Sequence, residues 1–386
     1  MYATQSNFEA PNGRDEPVNL NRITGAAMAL AGTLLLAACG SDTNNTGSSS
    51  GSSSSSSPSS DVKCVSGSIK ASGSSAQKNA ITQWINDYQS KCTGATIDYQ
   101  ANGSGAGIQD FNNKQTAFAG SDAVMKPEEQ TAADARCATG KAIHLPMVGG
   151  AITLAYNVPG VTDLTLTPEV IAGIFDSTIT KWNDPKISAV NKSAKLPDAT
   201  IAEFHRSDSS GTTANFNNYL TASAGSAWKY NSAKDWTAPG GQGAKGSDGV
   251  TSAVKSTPNA IGYIELSFAQ DAKLTTAKID NGGGAVAASA ESATKAIGLA
   301  QETGSGNNIT LKLDYATKQA GAYPLVLLTY EITCEKGLTG TDLELTKGFL
   351  TYAAGKDAQA KLADIGYVPV ADSIITKVRT AVAALS

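Results

Sequence analysis

The sequence predicts an α/β fold, and three observations carry this prediction. Short apolar runs that end in glycine or a small polar residue alternate with longer segments whose apolar residues recur every three or four positions. The order strand, loop, helix, strand recurs along the chain from residue 65 onward, without an internal sequence repeat. With 386 residues, 41% of them hydrophobic, the chain is long enough for one large or two ordinary domains.

The first predicted elements follow residue 65. "SGSIKASG" is typical of a strand, and "AQKNAITQWINDYQ" predicts a helix with one apolar face formed by Ile81, Trp84, Ile85 and Tyr88. "ATIDYQA" predicts a second strand, "GAGIQDFNNKQ" a short helix, and "FAGSD" the end of a third strand. Loops rich in glycine and serine therefore connect these strands to the helices that follow them.

The middle of the chain continues the alternation. "KAIHLPMVGGAITLAYNVPG" predicts two strand-like runs around Pro146 and the pair Gly149-Gly150. Helical patterns occupy "PEVIAGIFDSTITKW", with Val170, Ile171, Ile174 and Phe175 on one face, and "NFNNYLTAS". "WTAPGGQGAKGSDG" is typical of a long glycine-rich loop, and "SAVKSTPNAIGYIEL" predicts a helix, a turn and a strand.

The C-terminal part of the chain contains five more segments. "SATKAIGLAQET" is helical, "AYPLVLLTYEIT" is a long apolar strand, and "DLELTKGFLTYAAG" is another helix. "DIGYVPV" and "DSIITKVRTAVAAL" close the chain.

The N-terminal 61 residues indicate export rather than folding. An apolar run from Ile23 to Ala38 follows Arg22, is too short for a good membrane span, and fits a signal peptide over residues 1–38. It ends in Leu36-Ala37-Ala38-Cys39, which resembles a bacterial lipobox with Cys39 as the lipidated residue; an ordinary secretory signal is the alternative. Residues 39–61, rich in serine and free of apolar side chains after Cys39, predict a disordered tether. Acidic residues precede Val18, and a start there would give a conventional signal peptide.

Composition narrows the partners. Thirty basic and 34 acidic residues give a net charge of −4, and no run of Lys or Arg occurs, so nucleic acid is not an expected partner. Any anion must then be bound by local geometry.

Besides Cys39, four cysteines suggest two disulfides in an exported chain, and their spacing leaves all three pairings open. With two histidines, His144 and His205, and no C-x-x-C motif, we expect no metal site and no cofactor.

Three loops share one design that favours anion binding. "GSSAQ" at residues 73–77, "GSGAG" at 103–107 and "SSGTT" at 209–213 each stand directly before a helical pattern, at or near the end of a predicted strand. A helix N-terminus offers unpaired N–H donors and a positive dipole end, and therefore suits an anion. For one loop alone, ordinary capping by Ser, Thr or Gly explains the pattern equally well.

Charged residues stand beside the third loop and at the end of another predicted strand. Arg206 precedes the third loop and offers a planar guanidinium, which Asp208 could orient. Asp122, at the tip of "FAGSD", would repel a fully ionised anion, yet it suits an anion that carries its own proton. The pattern therefore favours hydrogen phosphate over sulfate.

Six segments, "ASGSSAQKNAITQW", "DYQANGSGAGIQDF", "AFAGSDA", "ITKWNDPKI", "HRSDSSGTTANF" and "TPNAIGYIE", occur in the order found in a known family. From about Cys64 to the C-terminus the chain resembles the PstS phosphate-binding lipoproteins of high-affinity ABC phosphate transporters. The segments "GSSAQKNA" and "AYPLVLLTYEITC" are most similar to the actinobacterial branch. The resemblance implies an extracytoplasmic, lipid-anchored, monomeric protein without enzymatic activity, which delivers phosphate to membrane permease subunits.

The resemblance also implies which residues bind the ligand. Asp122 would accept the proton of phosphate and Asp208 would orient Arg206. The implied phosphate-binding positions are Ser75, Ala76 (through its N–H), Ser104, Asp122, Arg206, Ser210, Gly211 and Thr212. Many relatives have Phe where this chain has Ala76, a mild departure because only the amide is needed.

The family fold is an α/β periplasmic-binding-protein fold, type II-like, with the ligand in a cleft between two lobes and two crossover strands as the hinge. For this chain it implies one lobe at residues 64–147 plus 325–386 and a second at 148–324, with "LPMVGGAI" and "AYPLVLL" as crossovers. It also suggests the disulfides Cys92–Cys137 and Cys64–Cys334.

Two alternatives remain open at this stage. A secreted phosphatase or esterase is one, although no G-x-S-x-G sequence joins a predicted strand to a predicted helix and neither histidine has an evident nucleophile partner. A receptor for sulfate, molybdate or another oxyanion is the second, and Asp122 argues against it.

Overall fold

We analysed a computed structural model of the chain. The structure describes residues 62–137 and 139–386. The expected signal peptide, the lipidation site Cys39 and the tether at residues 39–61 lie outside the described residues. Within the two described ranges, no helix is both long enough and apolar enough to cross a lipid bilayer.

The strands follow the predicted alternation with the helices. In chain order the strands are β1 Gly67–Gly73, β2 Ala95–Gln100, β3 Phe118–Ser121, β4 Ala142–Asn157, β5 Thr165–Leu166, β6 Ala202–Arg206, β7 Gln242–Ala244, β8 Ala260–Glu265, β9 Thr275–Thr276, β10 Lys278–Asp280, β11 Ala285–Val286, β12 Gln301–Glu302, β13 Leu311–Lys312, β14 Val326–Cys334 and β15 Tyr367–Val368.

The helices are α1 Lys78–Lys91, α2 Ser104–Asn112, α3 Pro127–Arg136, α4 Pro168–Phe175, α5 Pro185–Val190, α6 Gly211–Ser223, α7 Gly246–Ser256, α8 Leu266–Ala272, α9 Ala290–Ile297, α10 Gly340–Ala353, α11 Lys356–Ala360 and α12 Asp372–Ala383. The predicted apolar face of α1 is buried as expected, because Ile81, Trp84, Ile85 and Tyr88 all lie in the core.

One mixed sheet organises the molecule. Its strands lie in the order β2-β1-β3-β14-β4-β8-β6-β7. Parallel strands β1, β2 and β3 form one side, and the parallel strands β6, β7 and β8 form the other. The antiparallel pair β4 and β14 joins the two sides. The α/β class is therefore confirmed, and both sets of parallel strands end in loops that lead to helices.

Strand β4 is continuous where the sequence predicted two runs. Its first part pairs with β14 and its last part, Ile152–Asn157, pairs with β8. The register slips by one residue at Met147, so that Pro146 lies opposite Tyr330 and Val148 opposite Thr329. A bulge of this kind accommodates a proline, which cannot donate to the ladder, without ending the strand.

Two further elements differ from the sequence prediction. Helix α4 ends at Phe175 and does not continue toward Trp182, since Ser177 adopts a left-handed φ of 61° that interrupts the helix. The segment predicted as a long glycine-rich loop contains β7, which pairs with β6 in parallel, and the start of α7.

The disulfide pairing suggested by the family resemblance is wrong. The structure pairs Cys64 with Cys92 and Cys137 with Cys334, with Cα–Cα distances of 5.1 and 5.4 Å. Strands β1 and β2 run in parallel with Gly67 opposite Ala95, so the residues just before both strands are neighbours. Cys334 lies opposite Ala142 at the start of β4, close to the end of α3 where Cys137 lies. The register of the strands therefore determines both disulfides, and the spacing of the cysteines along the sequence does not reveal this register.

The division into lobes at residues 64–147 plus 325–386 and 148–324 stays a prediction. The buried apolar side chains do form two large clusters, one around α1, α10 and α12 and the other around α4, α6 and the end of β4. Candidate site residues lie where loops from these two parts meet.

Candidate anion-binding site

Asp122 follows β3 and is almost completely buried, with 3% of its surface exposed. Its Oδ1 accepts hydrogen bonds from the hydroxyls of Ser74, at 2.5 Å, and Thr329, at 2.7 Å. Its Oδ2 accepts one from Ser104, at 3.1 Å. Burial raises the pKa of Asp122 to about 6, although the hydrogen bonds from Ser74 and Thr329 lower it. The carboxyl is thus a buried acceptor whose pKa lies above that of an ordinary aspartate.

Ser104 connects the Asp122 region with the first turn of α6. The backbone N–H of Gly211 donates to Ser104 Oγ at 3.1 Å, and the N–H of Asp122 donates to the same oxygen at 3.2 Å. A Cβ on Gly211 would lie 2.6 Å from both Asp122 Cβ and Ser104 Oγ. Glycine is therefore required for this close approach between two parts of the chain.

Arg206 ends β6 and is 2% exposed. Asp208 holds its guanidinium in a bidentate arrangement, with Nε to Oδ1 at 2.8 Å and Nη2 to Oδ2 at 2.5 Å. Burial lowers the pKa of Arg206, but the hydrogen bonds and charge of Asp208 outweigh burial and raise it. The guanidinium is therefore a fixed cation, and its Nη1 donates to Thr212 Oγ1 at 3.3 Å and to Ser247 Oγ at 3.5 Å.

The loop before α1 meets the N-terminus of α7. Ser75 Oγ and Ser247 Oγ lie 2.9 Å apart, and the N–H of Ser247 donates to Ser75 Oγ at 3.1 Å. Both side chains are 1% exposed. Since Ser247 also lies beside Arg206 Nη1, this contact brings the first loop to the guanidinium.

The third loop is positioned by Tyr263 of β8. Its hydroxyl accepts the N–H of Arg206 at 3.0 Å and lies 2.7 Å from Thr213 Oγ1, so it fixes both the end of β6 and the first turn of α6. The Tyr263 ring stacks on Phe216 of α6 with centroids 4.4 Å apart. An aromatic cluster under α6 thus holds the loop in place.

Two predicted site residues use their polar atoms locally. Ser210 Oγ caps α6 by accepting the N–H of Thr213 at 3.2 Å. The N–H of Ala76 donates to Ser74 Oγ at 3.1 Å. The structure brings the remaining predicted residues, Ser75, Ser104, Asp122, Arg206, Asp208, Gly211 and Thr212, into one continuous set of contacts. Their role as ligand-binding residues stays a prediction.

Four residues that form hydrogen bonds to members of this set were missed from the sequence: Ser74, Ser247, Glu265 and Thr329. Ser247 stands in "AKGSDG", a fourth glycine–serine loop between a strand and a helix, so the signal used for the other three loops could have found it. Glu265, like Asp122, is a carboxylate at the end of a buried strand. Thr329 lies inside the apolar strand β14, and no sequence pattern around it predicts a place in the site.

The arrangement suits a small tetrahedral oxyanion. Hydroxyls, helix N-termini and one guanidinium provide donors, and the buried Asp122 provides an acceptor. Arg206 is oriented by Asp208 before any ligand arrives, so little side-chain entropy is lost on binding.

Comparison with known proteins identifies the family. The model of the PBP superfamily domain matches residues 53–357. Phosphate-binding protein PstS 3 of Mycobacterium tuberculosis is 42% identical over 375 residues, which cover 96% of this chain and all of that protein. The chain belongs to the PstS family of phosphate-binding proteins. PstS of Pasteurella multocida is 33% identical over 81% of this chain and 88% of its own length.

Solved structures agree on the fold of this PstS family member. PfluDING, a periplasmic phosphate-binding protein solved with bound phosphate, matches with a TM-score of 0.66 and 20% identity, over 81% of this chain and 93% of its own. A putative phosphate ABC transporter substrate-binding protein from Clostridium perfringens matches with a TM-score of 0.58 and 20% identity, over 79% of this chain and all of that one. The two-lobe periplasmic-binding-protein fold is thereby confirmed, as is the resemblance to actinobacterial PstS proteins.

Proposed function

We propose that this PstS protein captures inorganic phosphate, in the form of hydrogen phosphate, and delivers it to the permease of an ABC transporter. The observation that carries the proposal is the pairing of a buried acceptor, Asp122, with a fixed buried cation, Arg206, in one set of contacts. The curated relatives, which are phosphate-binding proteins, support the ligand.

Asp122 is the basis for choosing phosphate over sulfate. Three hydroxyls already donate to its carboxyl, and Oδ2 with one partner, Ser104, keeps a free lone pair. Hydrogen phosphate can donate its O–H there, whereas sulfate would place an oxygen lone pair against a buried carboxylate. Sites that accept a hydrogen bond from their ligand reject analogues without the donor by roughly 10⁴–10⁵.

Titration calorimetry with phosphate tests the proposal. We expect saturable binding with one site per chain, and a loss of roughly tenfold or more in affinity in Arg206→Ala, because charged hydrogen bonds contribute about 1.5–3 kcal/mol each. Arg379→Ala is the matched control, since this guanidinium lies on α12 and donates to Ala354 O at the end of α10, outside the site. Wild type without phosphate binding, or Arg206→Ala with native affinity, would contradict the assignment.

We propose that the protein binds phosphate for transport and does not catalyse a reaction. The PstS relatives are binding proteins, which supports this choice over a phosphatase or esterase. Incubation with p-nitrophenyl phosphate provides the check, and we expect no release of p-nitrophenol. Saturable release that disappears in Arg206→Ala would favour the enzyme.

We further propose that the protein acts as a monomer outside the cytoplasm, anchored through a lipid on Cys39 after removal of residues 1–38, with residues 39–61 as a tether. The lipobox-like sequence Leu36–Cys39 supports this anchor. Mass spectrometry of the membrane fraction should find a lipidated N-terminal Cys39, and Cys39→Ala should abolish it. Recovery of the wild type without lipid in the culture medium would contradict the anchor.

A further inference from the structure

Glu129 and Lys234 form a largely buried ion pair outside the candidate site. The ammonium group of Lys234 donates to both carboxylate oxygens of Glu129, at 2.6 and 2.7 Å. The Lys234 side chain is 5% exposed and that of Glu129 is 21% exposed. Lysine is among the residues least often buried, and a buried lysine is normally paired. None of the sequence motifs described above includes either residue.

The ion pair joins the two predicted lobes. Glu129 lies in the first turn of α3, within the predicted lobe at residues 64–147 plus 325–386. Lys234 lies between α6 and β7, within the predicted lobe at residues 148–324. A movement that separates these lobes would therefore pull the two charges apart and return both of them to water.

Both partners also hold backbone groups next to the anion site. The carbonyl oxygen of Lys234 accepts the N–H of Ser210, the residue that caps α6, at 2.9 Å. Oε2 of Glu129 accepts the N–H of Lys126 at 2.8 Å, in the segment that follows Asp122. The ion pair thus connects the segment after Asp122 with the first turn of α6.

The enclosure of the site links this connection to the release of a ligand. Four of the site residues are at most 3% exposed, namely Ser75, Ser104, Asp122 and Arg206. Ser75 Oγ lies 2.9 Å from Ser247 Oγ in the other predicted lobe, so the lobes are in contact in this closed form. An ion held among these groups leaves only when the loops around it separate. The release rate therefore depends on how firmly the lobes are held together.

We propose that the Glu129–Lys234 ion pair is a latch between the two lobes, which holds phosphate in the closed form and slows its release. This inference rests on the proposed phosphate-binding function, and it assigns the lifetime of the complex to residues outside the site. Glu129 and Lys234 are positioning residues, since they act through the lobes, while the site residues provide the contacts with phosphate.

Lys234→Met tests the latch because it removes the charge and keeps most of the side-chain length. The Glu129 carboxylate then loses its partner in the closed form, whereas water solvates it in the open form, and this difference favours opening. We expect phosphate to dissociate roughly tenfold faster than from wild type, with the association rate changed by less than about twofold. Loss of radiolabelled phosphate into an excess of unlabelled phosphate measures the release rate. An unchanged release rate, or a change confined to association, overturns the inference.

Glu129→Gln breaks the pair from its more exposed partner and keeps an oxygen that can accept the Lys126 N–H. It should also accelerate release. The double variant Glu129→Gln/Lys234→Met should release phosphate no faster than the faster single variant, because either substitution alone already breaks the pair. Effects that multiply in the double variant overturn the latch, since they show that the two residues act separately.

Calorimetric stoichiometry separates the latch from a purely structural role. We expect both single variants to bind one phosphate per chain, as wild type does, because the folded site residues are unchanged. A reduced stoichiometry with a native release rate in the remaining active fraction would show that the pair supports folding only, and it overturns the inference.

Lys78→Met is the matched control. Lys78 and Asp248 form a second ion pair between the predicted lobes, at 2.8 Å, but their side chains are 42% and 59% exposed. Exposed pairs contribute little because water and salt screen them, so the release rate should stay within about twofold of wild type. If Lys78→Met accelerates release as much as Lys234→Met, the buried pair has no special role.

The outcomes separate this inference from the proposed function. Wild type that binds no phosphate overturns both. Wild type that binds phosphate, with Lys234→Met and Glu129→Gln releasing it at the wild-type rate, overturns the latch alone.

Discussion

The buried carboxyl of Asp122 is the single residue on which ligand choice depends. Asp122→Asn keeps the shape and replaces part of the acceptor by an amide donor. We expect the preference for phosphate over sulfate to narrow at least tenfold, mainly through tighter sulfate binding, because an N–H can donate to a sulfate oxygen. Calorimetry with both anions on both proteins measures the ratio, and an unchanged ratio would remove Asp122 from the selection of the ligand.

The buried carboxyl of Glu203 should make the free energy of unfolding depend on pH. Burial raises its pKa from 4.5 to about 8, and both carboxyl oxygens lack hydrogen-bond partners among the described residues. Between these values the Glu203 carboxyl is protonated in the folded protein and ionised in the unfolded chain, so its contribution to stability is greatest below pH 4.5 and is lost as pH rises through about 8.

Glu203→Gln cannot ionise, and its free energy of unfolding should fall less over this interval, by about 5 kcal/mol. Urea unfolding at several pH values measures the difference. Parallel curves for wild type and Glu203→Gln would show that the Glu203 carboxyl ionises normally.

At the residue level the sequence identified most of the candidate site. Ser104, Asp122 and Arg206 were found because each stands at a strand end or a helix start, where loops place polar side chains side by side. Glu265 and Thr329 come from strands that are distant in sequence, and only the pairing of β4 with β8 and β14 brings them near. The sequence alone does not reveal such pairings.

Among the elements, helix α6 begins in close contact with the residue that follows β3 and with the first residue of α2. Its first residue, Gly211, leaves no room for a Cβ beside Asp122 and Ser104. Gly211→Ala should push the helix start away and weaken phosphate binding roughly tenfold or more, with a smaller effect on thermal stability.

Gly249→Ala in α7 is the matched control for this substitution. A Cβ there would make ordinary contacts, the nearest at 3.5 Å to Ala244 C, and alanine favours the helix. Phosphate affinity should stay native in Gly249→Ala. If Gly211→Ala also binds with native affinity, the close approach of α6 is not needed for binding.

Helices and strands were predicted correctly where the apolar periodicity is strong. The prediction was wrong where the conformation of a single residue determines the end of a helix or the continuity of a strand. The apolar face of α1 was evident from its spacing. The end of α4 depends on the left-handed backbone of Ser177, and the continuity of β4 depends on one bulge at Met147. Both are local conformations that tertiary packing selects.

Across the whole molecule, the two disulfides should contribute unequally to stability. Cys137–Cys334 closes a separation of 197 residues and Cys64–Cys92 one of 28, which corresponds in the chain-entropy treatment to about 5 and about 4 kcal/mol. We therefore expect Cys137→Ala/Cys334→Ala to unfold at lower urea concentration than Cys64→Ala/Cys92→Ala. Equal midpoints would contradict the entropic argument, and peptide mapping under non-reducing conditions tests the pairing itself.

The measurement that tests the central claim most directly is a crystal structure of the protein grown with phosphate. The account predicts one phosphate ion within hydrogen-bond distance of Asp122 and Arg206, and in contact with Ser75, Ser104 and the N-terminus of α6. A phosphate ion bound elsewhere would contradict it, for example in the cavity of about 300 Å³ that Lys141, Asn307 and Glu335 help to line.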